Sequence, residues 1–353
     1  MKAQDMLDLY SDFLITQNQR ATATGLSDMT EGAVTHDEVT QFLNGKLLDT
    51  KALWQHVKPM VRQHEIEGPG VLIIDDTIEK KPYTDENLIN TWHYSHTEGR
   101  VLKGMNLLTC LVRYGEARIP VYYEVVRKEQ HYCDLTTKKE VRKASRSKNE
   151  MFRDCVGMAL HNGVQFAYVL ADNWFSAKEN MLYLHKKKQQ FIFGLKTNRL
   201  VATSKQDARR GRYQRLELLN FGEHEAKTLW LKAISFPVKV ARFVFTNADD
   251  SEGVLYLVSN DLSLDAERLW EVYQKRWAIE EFHKSIKQNA SLEKSPTRTV
   301  RSQCNHIFAA IIAYCKLETL RLKTKLNHFA LKYKLLLKAN QAAMEEFRLM
   351  QAG

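Results

Sequence analysis

Residues 273–287 read YQKRWAIEEFHKSIK, and the chain is best understood outward from them. Leu262-Ser263-Leu264-Asp265 supplies cap candidates just upstream, and Ala266, Glu267 and Arg268 favour helix. Leu269, Val272, Ile279, Phe282 and Ile286 recur at helical spacing and predict one buried face. Tyr273, Arg276, Glu280 and Lys287 fall on a neighbouring face. The pattern therefore predicts a helix that packs on one side and displays a tyrosine, two cations and a carboxylate on the adjoining one. Glu-Lys pairs on a helix surface also serve solubility alone, so the spacing leaves both readings open.

The 353 residues allow two or three domains with a sizeable core. Lys plus Arg number 52 against 42 Asp plus Glu, a net charge of +10 that suits a polyanion, either nucleic acid or an anionic membrane. No long apolar run exists and acids interrupt the first residues, which argues against a membrane span or signal peptide. Cys110, Cys133, Cys155, Cys304 and Cys315 are odd in number and widely spaced. They read as reduced cytosolic thiols, neither a zinc site nor a disulfide frame.

Two further stretches present carboxylates at the ends of apolar runs. Val71-Leu72-Ile73-Ile74-Asp75-Asp76-Thr77 reads as a buried strand ending in acids. Val164 to Leu170 is another, followed by Ala171-Asp172-Asn173-Trp174-Phe175. An aspartate at a strand end is often only a turn former. Successive strand residues face opposite sides, so only one of Asp75 and Asp76 can point into a shared site.

The string Tyr273, Arg276, Glu280, Lys287 resembles the Y-R-E-K signature of DDE transposases of bacterial insertion sequences, and among them the insertion-sequence-four family. That resemblance runs from Asp76 to Lys287. It implies catalytic, metal-holding acids at Asp76, Asp172 and Glu280, with Asp76 selected over Asp75 by the following Thr77. Trp174 stands where the family usually has a small residue. Oxygen-only ligands imply Mg²⁺ or Mn²⁺, two ions of which can clamp an in-line phosphoryl displacement. Tyr273, Arg276 and Lys287 are implied to hold the DNA end. Trp277 is read as a base-stacking residue or a core tryptophan, and His283 and Lys284 as lining the same groove. The implied activity is cut-and-paste transposition by hydrolysis and transesterification, through hairpin ends, on double-stranded DNA carrying terminal inverted repeats. A homodimer in the synaptic complex and a cytoplasmic, nucleoid-associated location follow. The alternatives are a nuclease without strand transfer and a non-catalytic DNA-binding regulator.

The expected fold is α/β, a ribonuclease-H-like mixed sheet flanked by helices, with a strand-rich insertion and an N-terminal helical DNA-binding domain. Its predicted parts are 1–68 as the helical domain, 69–188 as the first part of the core, 189–262 as the insertion, 263–325 as the second part, and 326–353 as a C-terminal helix. Thr35-His36-Asp37-Glu38 is a capping box, Asn44-Gly45 a helix stop, and Pro59 a kink. The segment 91–104 reads as a polar loop in which His93 and His96 touch DNA or make ordinary hydrogen bonds. Residues 105–113 and 117–127 read as a hairpin. The basic runs 138–148 and 205–215 read as DNA contacts or solvated loops.

Overall fold

The computed structural model describes residues 2–352 except 96, 97, 137, 223, 247 and 248. His96 and part of the turn expected at 247–250 therefore lie outside the described residues. Four helices open the chain: α1 (Ala3–Thr16), α2 (Ala23–Met29), α3 (His36–Asn44) and α4 (Thr50–His64). The capping box starts α3 as predicted: the Glu38 N–H donates to the Thr35 hydroxyl, and the Thr35 N–H donates to the Glu38 carboxylate. Asp49 accepts the first free N–H groups of α4, which runs through Pro59 without ending.

Strands follow as β1 (Gly70–Lys80), β2 (Asn90–Ser95), β3 (Arg100–Tyr114), β4 (Ala117–Val125), β5 (Gln130–Asp134) and β6 (Lys139–Lys143). Next come α5 (Lys148–His161), β7 (Phe166–Ala171), α6 (Lys178–Lys186), β8 (Gln190–Leu195), β9 (Leu200–Ala202), α7 (Lys205–Arg209) and β10 (Gln214–Arg215). The chain finishes with β11 (Ala226–Leu231), β12 (Val238–Thr246), β13 (Glu252–Ser259), α8 (Ala266–Gln274), α9 (Trp277–Gln288), α10 (Val300–Thr324) and α11 (His328–Ala352).

Among the described residues one mixed sheet runs β10-β9-β11-β12-β13-β8-β7-β1-β3-β2, with β4 also on β3. β1, β7 and β8 are parallel, and β1 pairs with β3 antiparallel. One expectation needs correction here. The segment 91–104 is not a loop: β2 and the start of β3 form a ladder there, and His93 is buried against the Thr91 hydroxyl. Burial pushes His93 down to about 3, so it stays neutral. The strands of 189–262 continue the same sheet. β8 lies beside β7 as a core strand, and β13, β12 and β11 extend the same sheet.

The N-terminal helices share one continuous core with the sheet and α10. The Tyr10 hydroxyl meets His306 of α10 at 3.0 Å, and Ser291 donates to the Leu14 carbonyl at 2.7 Å. No helix of the described residues is long and apolar enough to cross a membrane.

Candidate active site

The signature stretch is two helices rather than one. Lys275 and Arg276 bond back three residues, to Val272 and Tyr273, and this tight turn separates α8 from α9. The break lets the two helices serve different partners: α8 packs on β8, β12 and β13, whereas α9 packs on β1 and β3. The predicted apolar face is real, since Leu269, Val272, Ile279, Phe282 and Ile286 are all buried.

Register decides which carboxylates meet. In the parallel pair β1–β7, Ile73 lies opposite Leu170. Just past the last paired residues the chain delivers Asp172 close enough to Asp75 for its charge to raise the Asp75 carboxyl. Thr109 of β3 is paired with Asp75, and its hydroxyl lies 2.7 Å from His283 Nε2 on α9. Asp75 and Asp172 therefore face α9. Asp76 points to the opposite face. There Asn106 donates to its Oδ2 at 2.7 Å, and Lys148 at the start of α5 donates to the same oxygen at 2.6 Å.

Arg276 joins the α9-side acids. Its Nη1 lies 3.3 Å from Asp75 Oδ2 and its Nη2 lies 2.6 Å from Glu280 Oε1. Burial pushes Asp75 up to about 7, the Asp172 charge adds to the rise, and Arg276 opposes it. Asp172 is also raised by burial, held back by the N–H groups of Trp174 and Phe175 that donate to its Oδ1. Two acids raised by burial and sharing one cation form a site short of positive charge.

A divalent ion suits this donor set, which is all carboxylate oxygen with neither Cys nor His among its acids. The fit is incomplete as the side chains stand. Glu280 is turned to Arg276, and no group of three His, Cys, Asp or Glu residues is arranged to hold a metal among the described residues.

The other expected site residues divide. Tyr273 is buried, and burial raises its hydroxyl to about 12, so it remains a donor. That hydroxyl passes close to Gly194 of β8, where an added Cβ would lie 3.3 Å from it and 2.9 Å from the Asn173 nitrogen. Only glycine leaves room for Tyr273 beside the Asp172 turn. Lys287 is tied at 2.9 Å to the carbonyl of Ile78 on β1. Trp277 is 55% exposed, with the Arg276 guanidinium 5.9 Å from its ring, so it is not a core tryptophan. Lys284 is exposed but turned toward Phe329 of α11. His283 contradicts its expected place in a groove: it is buried, bonded to Thr109, and pushed down to about 3 by burial and by nearby Lys287 and Arg276. Sequence reasoning chose Asp76 over Asp75 and gave Lys148 no place beside either. Parity on the strand offered a choice between two acids, and which neighbours each one meets is a property of the sheet.

Three cations of the basic run 138–148 are held by acids. Arg142 pairs with Glu86, Arg146 with Glu124 and Asp154, and Lys148 with Asp76.

A comparison with curated proteins returns no match. The family model of the transposase DDE domain matches residues 125–316, which include Asp172 and the whole signature stretch but not β1. The large mixed sheet flanked by helices is consistent with the ribonuclease-H-like fold of such enzymes. Because that match spans more than half of the chain, the protein belongs to the transposase DDE-domain family.

Proposed function

We propose that this transposase cuts double-stranded DNA at the ends of an insertion sequence and joins the freed 3′-hydroxyls to target DNA. The observation that supports the reading is Arg276, at the start of α9, bridging Asp75 and Glu280 while the Asp172 charge acts on Asp75. We assign the first acid to Asp75 rather than Asp76, because Asp75 meets Arg276 of the signature stretch whereas Asp76 meets Asn106 and Lys148 of α5. Asp75, Asp172 and Glu280 would hold Mg²⁺ or Mn²⁺. When bound, such an ion supplies Lewis-acid activation of the attacking hydroxyl and charge for the departing oxygen.

The protein's own groups position the DNA. Arg276 pairs with Asp75 and Glu280, and its buried Nε has no partner among the described residues. Once a divalent ion takes over those acids, the Arg276 fork is available to a phosphate. The Tyr273 hydroxyl donates from the same side, and exposed Trp277 offers a stacking surface for an unpaired base. Lys287 holds β1 to α9 through the Ile78 carbonyl and adds positive charge below the acids. Cut-and-paste movement, hairpin ends and a homodimer that synapses two ends rest on the resemblance of the signature to the insertion-sequence-four family.

The test uses a pre-cut element end with a free 3′-hydroxyl, a plasmid target and Mg²⁺, the end sequence being taken from inverted repeats flanking the reading frame. The expected result is joining to the plasmid, lost by about 10²-fold or more in Asp172→Asn and Glu280→Gln. Hydrolysis of DNA without any joining would replace the transposase with a nuclease.

A further inference from the structure

The β8–β9 turn, the turn after β11 and the first turn of α6 enclose a cleft of about 490 Å³ beside the Asp172 loop. Its walls carry Lys178, Lys196, Arg199 and Lys232, and no acid lines it. The other main clefts of the protein each mix cations with acids, for example Arg146 and Arg153 with Glu124 and Asp154. Here three lysines are exposed and none of the four cations has an acidic partner among the described residues. Arg199 is fixed by an Nη2 bond of 2.7 Å to the Ser176 carbonyl, while its buried Nε has no partner among the described residues. Ser176 also lines the cleft, and it lies four residues beyond Asp172. α6 opens there with Ala177 at its cap and no side chain satisfying its first N–H groups, since Ser176 instead donates to the Asn173 carbonyl.

Four cations of one sign in a concave wall focus positive potential, and an uncapped helix start adds to it. The ligand such a wall recognises is a phosphodiester chain. We propose that this cleft binds the DNA backbone a short distance from the acids, clamping the strand that leaves the active site between the core and the strands that extend its sheet. The proposal rests on the transposase reading and is separate from the basic run 205–215. It makes Lys178, Lys196, Arg199 and Lys232 binding residues that touch phosphate without touching the reacting bond.

The experiment measures binding of a fluorescent DNA duplex by anisotropy, in Ca²⁺-free and Mg²⁺-free buffer, across a salt series. It compares the wild type with Lys178→Ala/Lys196→Ala/Lys232→Ala. A control variant, Lys323→Ala/Lys334→Ala/Lys338→Ala, removes the same charge from exposed positions elsewhere. The expected result is a salt slope lower by about 2 to 3 in the cleft variant and little change in the control. An unchanged slope in the cleft variant, or an equal drop in the control, overturns the cleft while leaving the transposase reading in place. Inorganic phosphate bound by the cleft with no effect of the variant on DNA binding overturns it too, in favour of a small anion. Absence of any DNA binding by the wild type would defeat the transposase reading itself.

Discussion

The two faces of β1 carry neighbouring aspartates with opposite circumstances. Asp75 and Asp76 are each 19% exposed at the side chain, so exposure does not separate them. Their neighbours do. Asp76 meets an ammonium and an amide, both donating to its Oδ2. Asp75 meets another carboxylate and shares one guanidinium with Glu280. Asp75 and Asp172 accept hydrogen bonds too, but burial raises both carboxyls, and a buried pair of acids calls for a cation. On the proposed reading, the face beneath α9 does the chemistry and the face beneath α5 anchors.

Removing Arg276 strikes the α9 face hardest. Arg276→Ala is expected to destabilise the metal-free protein by about 3 kcal/mol at pH 8, because Asp75 loses its cation. The loss shrinks toward pH 6 as Asp75 takes up a proton. Chemical denaturation at the two pH values checks this, and equal losses at both would contradict it.

Glu79 lies further along the same face of β1 and is fully buried with an unpartnered Oε2. Burial first, then the charge of Glu293, raises its carboxyl to about 7. A carboxyl raised on folding binds more protons in the folded state, so its contribution is complete below its usual range near 4.5 and is lost as pH rises through about 7. The gap is worth roughly 3 kcal/mol at most. Glu79→Gln is expected to flatten the fall in stability between pH 5 and 8, by thermal melting in metal-free buffer. A wild-type stability that rises over that window would count against the burial described.

Gly194→Ala places a Cβ within 3.0 Å of the Asn173 backbone and crowds Tyr273. The expected cost is about 1–3 kcal/mol of stability, with slower strand joining because the Asp172 turn shifts. Normal joining by a stable Gly194→Ala protein would show that Tyr273 does not need its present place.

The α5 face is expected to respond least. Lys148 and Asp76 form a partly exposed pair, and Lys148 also lies 5.3 Å from the Trp174 ring. Lys148→Ala should cost about 1 kcal/mol, because Asn106 still serves Asp76. A loss several times larger would mean that the two faces are more alike than the contacts indicate.

Much of this was legible in the chain. The apolar spacing from Leu269 to Ile286 revealed the buried face, and the acids at the ends of two apolar runs marked where strands deliver carboxylates. The capping box at Thr35 read correctly because every atom in it is local. What stayed hidden depends on distant pairing. Asp75 and Asp76 are told apart only by the neighbours each one meets, which nothing within the strand records. The break at Lys275 reflects α8 and α9 packing on different strands. β2 was read as a loop because its polar residues are satisfied by β3. His283 looked available because its Thr109 partner lies far away in sequence.

The most direct test sets Asp75→Asn beside Asp76→Asn in the joining of a pre-cut end in Mg²⁺. With Asp75 holding the ion and Asp76 anchoring Lys148, Asp75→Asn should lose joining by about 10²-fold or more, and Asp76→Asn by no more than about tenfold. Joining that survives Asp75→Asn and disappears in Asp76→Asn would contradict the account.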